Sequence, residues 1–63
     1  DKPGVIAEIS NALGAEQINI NDIEIMKVRE GEGGTIRLGF DSEKAATGAL
    51  EILTRIGYQA RKP

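Results

Sequence analysis

Apolar residues near the start of the chain recur at spacings of three and four positions. They are Val5, Ile6, Ile9, Ala12 and Leu13. This spacing predicts an amphipathic helix that buries one stripe of side chains. Pro3 suits the first helical position, because the N–H that it lacks would be unpaired there in any residue. Gly14 is expected to end the helix as a left-handed cap.

A second helical pattern follows after Phe40. Its apolar positions are Ala45, Ala46, Ala49, Leu50, Leu53 and Ile56. Either Asp41 or Ser42 is expected to cap its first turn, because a short polar side chain can accept a hydrogen bond from the free N–H groups there. Gly57 is expected to end the helix. Gly48 costs this helix roughly 1 kcal/mol relative to Ala, and the close approach of another backbone is one reason for a glycine at that position.

Between the helices the apolar pattern changes to a period of two, which is typical of strands. The isoleucines of this stretch are Ile18, Ile20, Ile23 and Ile25. Their parity changes after the second one. A bulge or kink at Asn21 and Asp22 would keep all four inward, because a regular strand would expose half of them. Met26 and Val28 continue the strand.

Residues 30–34 are rich in glycine and predict a turn with easy access to positive φ. A second strand follows with Ile36, Leu38 and Phe40 on one face, so the two strands predict an antiparallel hairpin. Residues 58–60 are expected to begin a last short strand. The order helix, strand, strand, helix, strand predicts an α+β fold in which two helices cover one face of an antiparallel sheet.

The length of 63 residues allows one domain, residues 1–63. The net charge of -2 and the pI near 5.0 argue against a general nucleic-acid binder. Modules for single-stranded RNA stack bases on exposed aromatic residues of a sheet, whereas Phe40 has the parity of the core positions Ile36 and Leu38. No apolar run approaches the roughly 20 residues that a membrane-spanning helix needs.

The chain contains no Cys and no His. It therefore lacks a thiolate nucleophile, the commonest general base and the commonest metal ligand, so we expect no catalytic residue and no metal site in this segment. The glycines of residues 31–34 precede a strand, and the lysine of a phosphate-binding loop is missing, so a hairpin turn is favoured over a phosphate site. Ser42 is expected to cap a helix rather than act as a nucleophile.

Several short runs of residues carry a family resemblance. Asp1-Lys2-Pro3-Gly4, then Leu13-Gly14, then Ile18-Asn19-Ile20 resemble an ACT domain, a small regulatory module attached to enzymes of amino-acid metabolism. Residues 22–34 are similar to the ACT domain at the C-terminal end of bacterial prephenate dehydrogenases. The resemblance implies a ferredoxin-like βαββαβ fold and a cytoplasmic location, which the absence of Cys also fits. It implies NAD as the cofactor of the attached enzyme and no cofactor in this segment.

In the family, the Asp of the D-x-P-G turn follows directly on the first strand, which lies between the third and fourth strands of the sheet. Here Asp1 is the first residue, so the printed sequence lacks that strand. Its loss would leave backbone N–H and C=O groups unpaired on both neighbours, at about 1–3 kcal/mol for each buried group. We therefore expect that preceding residues exist in the natural molecule, or that another chain fills the gap.

The resemblance also implies a binding site for an amino acid, formed by the turn before the first helix and the start of the following strand. Carried over by position, Asp1 and Asn19 would supply polar side chains, while Gly4, Val5 and Ile20 would supply backbone groups. N–H groups at a helix start suit a carboxylate, and the oxygen of Asp1 or Asn19 suits an ammonium. Structural roles stay open beside these, because Asp1 can cap the helix and Asn19 can bond within a local turn.

Two functions follow from the resemblance. In the first, two copies form a homodimer, and an aromatic amino acid, with tyrosine as the leading candidate, binds at their junction and shifts the attached enzyme toward inhibition. In the second, the domain dimerises through a strand edge and binds no small molecule. Neither function involves a nucleic acid or a membrane.

Overall fold

The computed structural model describes residues 4–26 and 34–62. Within these ranges the chain forms four elements, which are α1 Val5–Ala15, β1 Ile20–Met26, β2 Thr35–Phe40 and α2 Glu43–Arg55. The strands pair as an antiparallel sheet. The predicted α+β class is confirmed, and the arrangement is consistent with part of a ferredoxin-like fold. The predictions for Asp1, Pro3, Val28 and the turn of residues 30–33 lie outside the described residues.

Helix α1 forms where the first apolar stripe predicts it and buries Ile9 and Leu13, the latter 0% exposed. Its predicted end is wrong, because the helix continues past Gly14 to Ala15. The left-handed residue is Gln17, with φ 62. The N–H of Gln17 donates to the Gly14 carbonyl, and the N–H of Ile18 donates to the Leu13 carbonyl, both at 2.9 Å. This pair of bonds satisfies the last carbonyls of the helix without a glycine at the left-handed position.

Helix α2 begins and ends as predicted. The Ser42 hydroxyl accepts from the Ala45 N–H at 3.1 Å, which makes Ser42 rather than Asp41 the cap. Gly57 follows the last turn with φ 109, where a residue with a side chain would be strained. The helix buries three residues, Ala49, Ile52 and Leu53. Ile52 was absent from the predicted stripe, which was centred a little to one side of the buried face.

The predicted bulge in β1 is confirmed. Ile20 lies opposite Phe40, and Asp22 lies opposite Gly39, so Asn21 is an extra residue with no partner of its own. Beyond the bulge the ladder is regular and ends with Met26 opposite Thr35. Opposed residues of an antiparallel ladder share a face. The isoleucines of β1 therefore lie on the same face as the apolar residues of β2.

The helices cover only part of this apolar face. Ile18 and Ile20 pack against the helical core together with Ile36, Leu38 and Phe40. Ile23 is 39% exposed and Ile25 is 64% exposed. The prediction that all four isoleucines are buried is therefore wrong for Ile23 and Ile25. They point to the correct face, but the hairpin extends beyond the region that α1 and α2 cover.

The strand predicted to begin at residue 58 is wrong for the residues that the structure describes. Tyr58 and Ala60 are partly buried against the core and Gln59 is exposed, so the segment alternates as a strand does. It pairs with neither β1 nor β2. A strand needs a neighbouring backbone, and the ferredoxin-like fold provides this segment with the strand that precedes α1. That strand is not among residues 4–26 and 34–62.

Gly48 has a different packing role from the one expected. A side chain at this position would place its first carbon 3.1 Å from Cδ1 of Ile18. The close neighbour is therefore a side chain from the α1–β1 connection and not another backbone. The glycine lets this connection lie against α2, which brings Ile18 onto the helical core.

Candidate functional site

The start of α1 provides free backbone N–H groups. Gly4 precedes the helix with φ 88, a conformation that suits glycine, and its carbonyl accepts from the Glu8 N–H at 2.8 Å. Among the described residues no side chain caps this end. The first N–H groups of the helix, beginning at Val5, are available to an anion, and the helix dipole favours one there.

The predicted polar residue Asn19 lies just before β1. Its side chain is exposed, and it makes no hydrogen bond to another described residue. Ile20 is partly buried and begins the ladder opposite Phe40. The Gln17 turn places these two residues immediately after the helix, so the backbone of Ile20 is fixed by the sheet while Asn19 faces solvent.

The structure does not bring the two halves of the predicted site together within one chain. Gly4 and Val5 open α1, whereas Asn19 and Ile20 follow its other end. The helix has 11 residues, which corresponds to a length of about 16 Å at 1.5 Å per residue. A small amino acid cannot contact both ends. Asp1, the remaining predicted site residue, lies outside the described residues.

A polar contact that sequence reasoning missed joins the bulge to the corner between β2 and α2. The side-chain amide of Asn21 donates a hydrogen bond to the Asp41 carboxylate. Asp41 follows Phe40, and Asn19 precedes Ile20, so Asp41 and Asn19 occupy neighbouring positions at the same end of the ladder. The sequence identified Asp41 only as a possible cap, and a contact across 20 residues leaves no local signal.

The end of α2 is joined to the start of α1. The Tyr58 hydroxyl donates to Oε1 of Glu8 at 2.5 Å, and Glu8 lies in the first turn of α1. This hydrogen bond is the main cause that raises the pKa of Tyr58 above its ordinary value of 10.0. The neutral phenol therefore donates a hydrogen bond to one carboxylate oxygen of Glu8, which lies in the same first turn of α1 as the free N–H groups.

The described parts of the chain hold no group of three or more acidic side chains that could bind a metal ion. None of the helices within residues 4–26 and 34–62 has both the length and the apolar character that a bilayer crossing requires. Among the described residues, two ion pairs join exposed side chains, Glu24 with Arg37 at 3.5 Å and Glu43 with Lys62 at 3.4 Å. Exposed pairs of this kind contribute little to stability.

The chain belongs to the ACT domain family, because the sequence model of that family matches residues 1–55. This is the family that the D-x-P-G and I-N-I motifs resemble. The described elements occupy the positions that this fold assigns to them, with the exception of the unpaired segment after α2.

One relative by sequence is the prephenate dehydrogenase of Bacillus subtilis (strain 168). It is 46% identical to this chain over 43 residues. The match covers 68% of this chain and 12% of the relative, so the chain corresponds to a small part of that enzyme's length. No solved structure matches the chain.

Proposed function

We propose that this domain binds an aromatic amino acid, with tyrosine as the preferred ligand, and thereby regulates a prephenate dehydrogenase. The observation that carries the proposal is the match of residues 1–55 to the ACT family, which is a family of regulatory modules. The relative from Bacillus supports the choice of enzyme. Tyrosine is favoured because it is the end product of that enzyme's branch of metabolism.

Each half of the site suits one end of a zwitterion. The N–H groups after Gly4, which no described side chain caps, can donate to an α-carboxylate, which the helix dipole attracts. The exposed Asn19 can accept from an α-ammonium through its side-chain oxygen. Ile20 adds a backbone group that the ladder holds in place. These roles are those of the residues that the family resemblance selects.

A complete site requires two copies. One side of β1 pairs with β2, and no other described strand pairs with its second side, so that side could pair with β1 of a second copy. Because the α1–β1 connection reverses the chain, the start of β1 lies near the end of α1, and β1 runs back toward the end of the domain at which α1 starts. Two β1 strands that pair antiparallel would therefore place Asn19 of one copy beside Gly4 and Val5 of the other. A homodimer of this form builds two identical sites.

The ligand would act by favouring one arrangement of the two copies. A coupling free energy requires different contacts in two states, and a site that spans the dimer junction provides them. Binding would draw the junction together and shift the attached dehydrogenase toward inhibition. The NAD-dependent oxidation of prephenate in the cytoplasm would belong to that attached enzyme.

A second function is favoured by one observation. Ile25 is 64% exposed and Ile23 is 39% exposed on the apolar face of an edge strand. Such a surface suits a protein partner whether or not a ligand is present. A domain that only dimerises the enzyme would use these residues and would leave the start of α1 empty.

Titration calorimetry on the full chain tests the proposal. Tyrosine should bind, phenylalanine and tryptophan should bind more weakly, and serine should give no heat. Asn19→Ala should weaken tyrosine binding, whereas Asn11→Ala, which removes an exposed asparagine from α1, should leave it unchanged. Absence of heat with all four amino acids would contradict the ligand-binding function and favour the dimerisation-only function.

Mixing two variants tests whether the site spans two copies. Asp1→Ala and Asn19→Ala each damage a different half of the site, so neither variant alone should bind tyrosine well. After unfolding and refolding together, random pairing should restore about a quarter of the sites, because half of the dimers are mixed and each has one intact site. No recovery in the mixture would show that both halves act within one chain.

A further inference from the structure

The contact between Asn21 and Asp41 has a consequence for ligand recognition. Asp41 is exposed and follows β2 at the end of the ladder where β1 begins. If the register continued by one position, Asp41 would lie directly opposite Asn19, at a spacing of about 5 Å between Cα atoms. The Asp41 position therefore adjoins that of Asn19, the polar half of the proposed site.

Asn21 holds this carboxylate in place. The bulge makes Asn21 an extra residue between the pairs Ile20–Phe40 and Asp22–Gly39. The amide donates to Oδ1 of Asp41, and this one bond leaves acceptor positions on Oδ2 unused. Among the described residues, no Lys or Arg pairs with Asp41. Helix α2 does not use the carboxylate as its cap, since Ser42 performs that role.

We propose that Asp41 accepts a hydrogen bond from the α-ammonium of the bound amino acid and that Asn21 is the residue that positions it. This proposal rests on the proposed function and names the group that recognises the charge. A carboxylate bonds to an ammonium more strongly than the neutral Asn19 amide does, because the bond is charge-assisted at both ends. Asn19 then contributes orientation, and Asp41 selects ligands that carry an α-amino group.

The test compares tyrosine with 3-(4-hydroxyphenyl)propionate, which lacks only the α-amino group. The wild-type full chain should bind tyrosine at least tenfold more tightly than this analogue. Asp41→Asn should lower tyrosine affinity about tenfold or more, the size expected for the loss of a charge-assisted bond, and should leave the analogue nearly unaffected. Asp22→Asn is the matched control, because it removes an exposed carboxylate from β1 with the same change of net charge.

Asn21→Ala separates positioning from direct contact. It should reduce tyrosine affinity by a smaller factor than Asp41→Asn, and Asn21→Ala combined with Asp41→Asn should be no worse than Asp41→Asn alone. Circular dichroism and the melting temperature of each variant establish that it folds.

Three outcomes would overturn the assignment. If Asp41→Asn keeps the wild-type preference for tyrosine over its analogue, Asp41 does not bind the α-ammonium, although the proposed function stands. If Asp22→Asn reduces the preference equally, only net charge matters. If the wild-type chain binds neither tyrosine nor phenylalanine, this assignment and the proposed function fail together.

Discussion

The hairpin and the segment of residues 58–62 both turn alternate side chains toward the core, yet among the residues that the structure describes only the hairpin forms a sheet. From Thr35 to Leu38 exposed residues alternate with partly buried ones, and in the later segment the partly buried Tyr58 and Ala60 flank the exposed Gln59. The hairpin is held by a backbone ladder. The segment is held at its ends, where Tyr58 bonds to Glu8 at 2.5 Å and Lys62 bonds to Thr47 at 2.6 Å.

The difference separates two kinds of information in the sequence. Alternation records which side chains face the core, because that is decided by the local period of the strand. Pairing depends on a second backbone, which a local pattern does not contain. The two regions rest on the same helical core, so they differ in backbone pairing and share side-chain burial. Each prediction below removes one of these contributions.

Removing the shared core should have the largest effect on both regions. Leu13 is 0% exposed at the centre of the cluster, and Leu13→Ala should destabilise the full chain by about 2–5 kcal/mol, from lost burial and the remaining cavity. Denaturation by urea measures the change in free energy of unfolding. Hydrogen exchange should show that the hairpin amides and the Tyr58 amide, which donates to the Leu53 carbonyl, lose protection together.

Ile25→Ala is the control for this substitution. Ile25 lies in the hairpin rather than in α1 and loses a side chain of similar size, but it is 64% exposed. It should change the stability of a monomer by about 0.5 kcal/mol or less. A loss as large as that of Leu13→Ala would mean that a partner buries Ile25 in solution.

Much of the fold could be predicted because its signals are local. The helical stripes, the Ser42 cap and the Gly57 end each depend on a few adjacent residues. The bulge was predictable because the isoleucines change parity at one position. The end of α1 was not predictable, since Gln17 adopts the left-handed conformation that the pattern assigned to Gly14. There the hydrogen bonds to two helix carbonyls outweigh the preference for glycine.

The candidate site was less predictable for a geometric reason. The resemblance supplied Gly4 and Asn19, and the residues have the chemistry that a zwitterion needs. Their separation by the full length of α1 is a property of the folded chain. Asp41 was missed because its bond to Asn21 joins two strands, and a sequence pattern shows only the capping role that Ser42 takes instead.

The pairing contribution can be tested by changing the register of the hairpin. Deletion of Asn21 should be tolerated within about 1 kcal/mol, because it removes only the extra residue and one exposed hydrogen bond. Ile20 and Ile23 would then be two positions apart and would still share a face. Melting temperature and far-ultraviolet circular dichroism of the full chain measure the result.

Deletion of Arg37 is the matched control in β2. No bulge absorbs it, so Ile36 would move to the opposite face from Leu38 and Phe40. The exposure of the partly buried Ile36 side chain should cost up to about 1.5–3 kcal/mol, the range for a fully buried one. Equal destabilisation by the two deletions would contradict the role assigned to the bulge.

The smallest expected effect separates the segment of residues 58–62 from the hairpin. Tyr58→Phe removes the hydrogen bond to Glu8 and leaves the ring in place. The Tyr58 amide, which donates to the Leu53 carbonyl at 2.9 Å, should lose protection against hydrogen exchange, while the hairpin keeps its protection, because the ladder does not depend on the Tyr58 bond to Glu8. If the hairpin amides lose protection to the same extent, the two regions unfold as one unit.

The same variant gives a test by pH. The pKa of Tyr58 is raised in the folded chain, chiefly by the hydrogen bond to Glu8, from an ordinary value of 10.0. A raised pKa in the folded state contributes stability that is fully present below pH 10.0 and is lost as the pH rises through the folded-state pKa. The wild type should therefore lose stability above pH 10.0 more steeply than Tyr58→Phe. Parallel curves for the two proteins would show that the Tyr58 bond to Glu8 does not persist in solution.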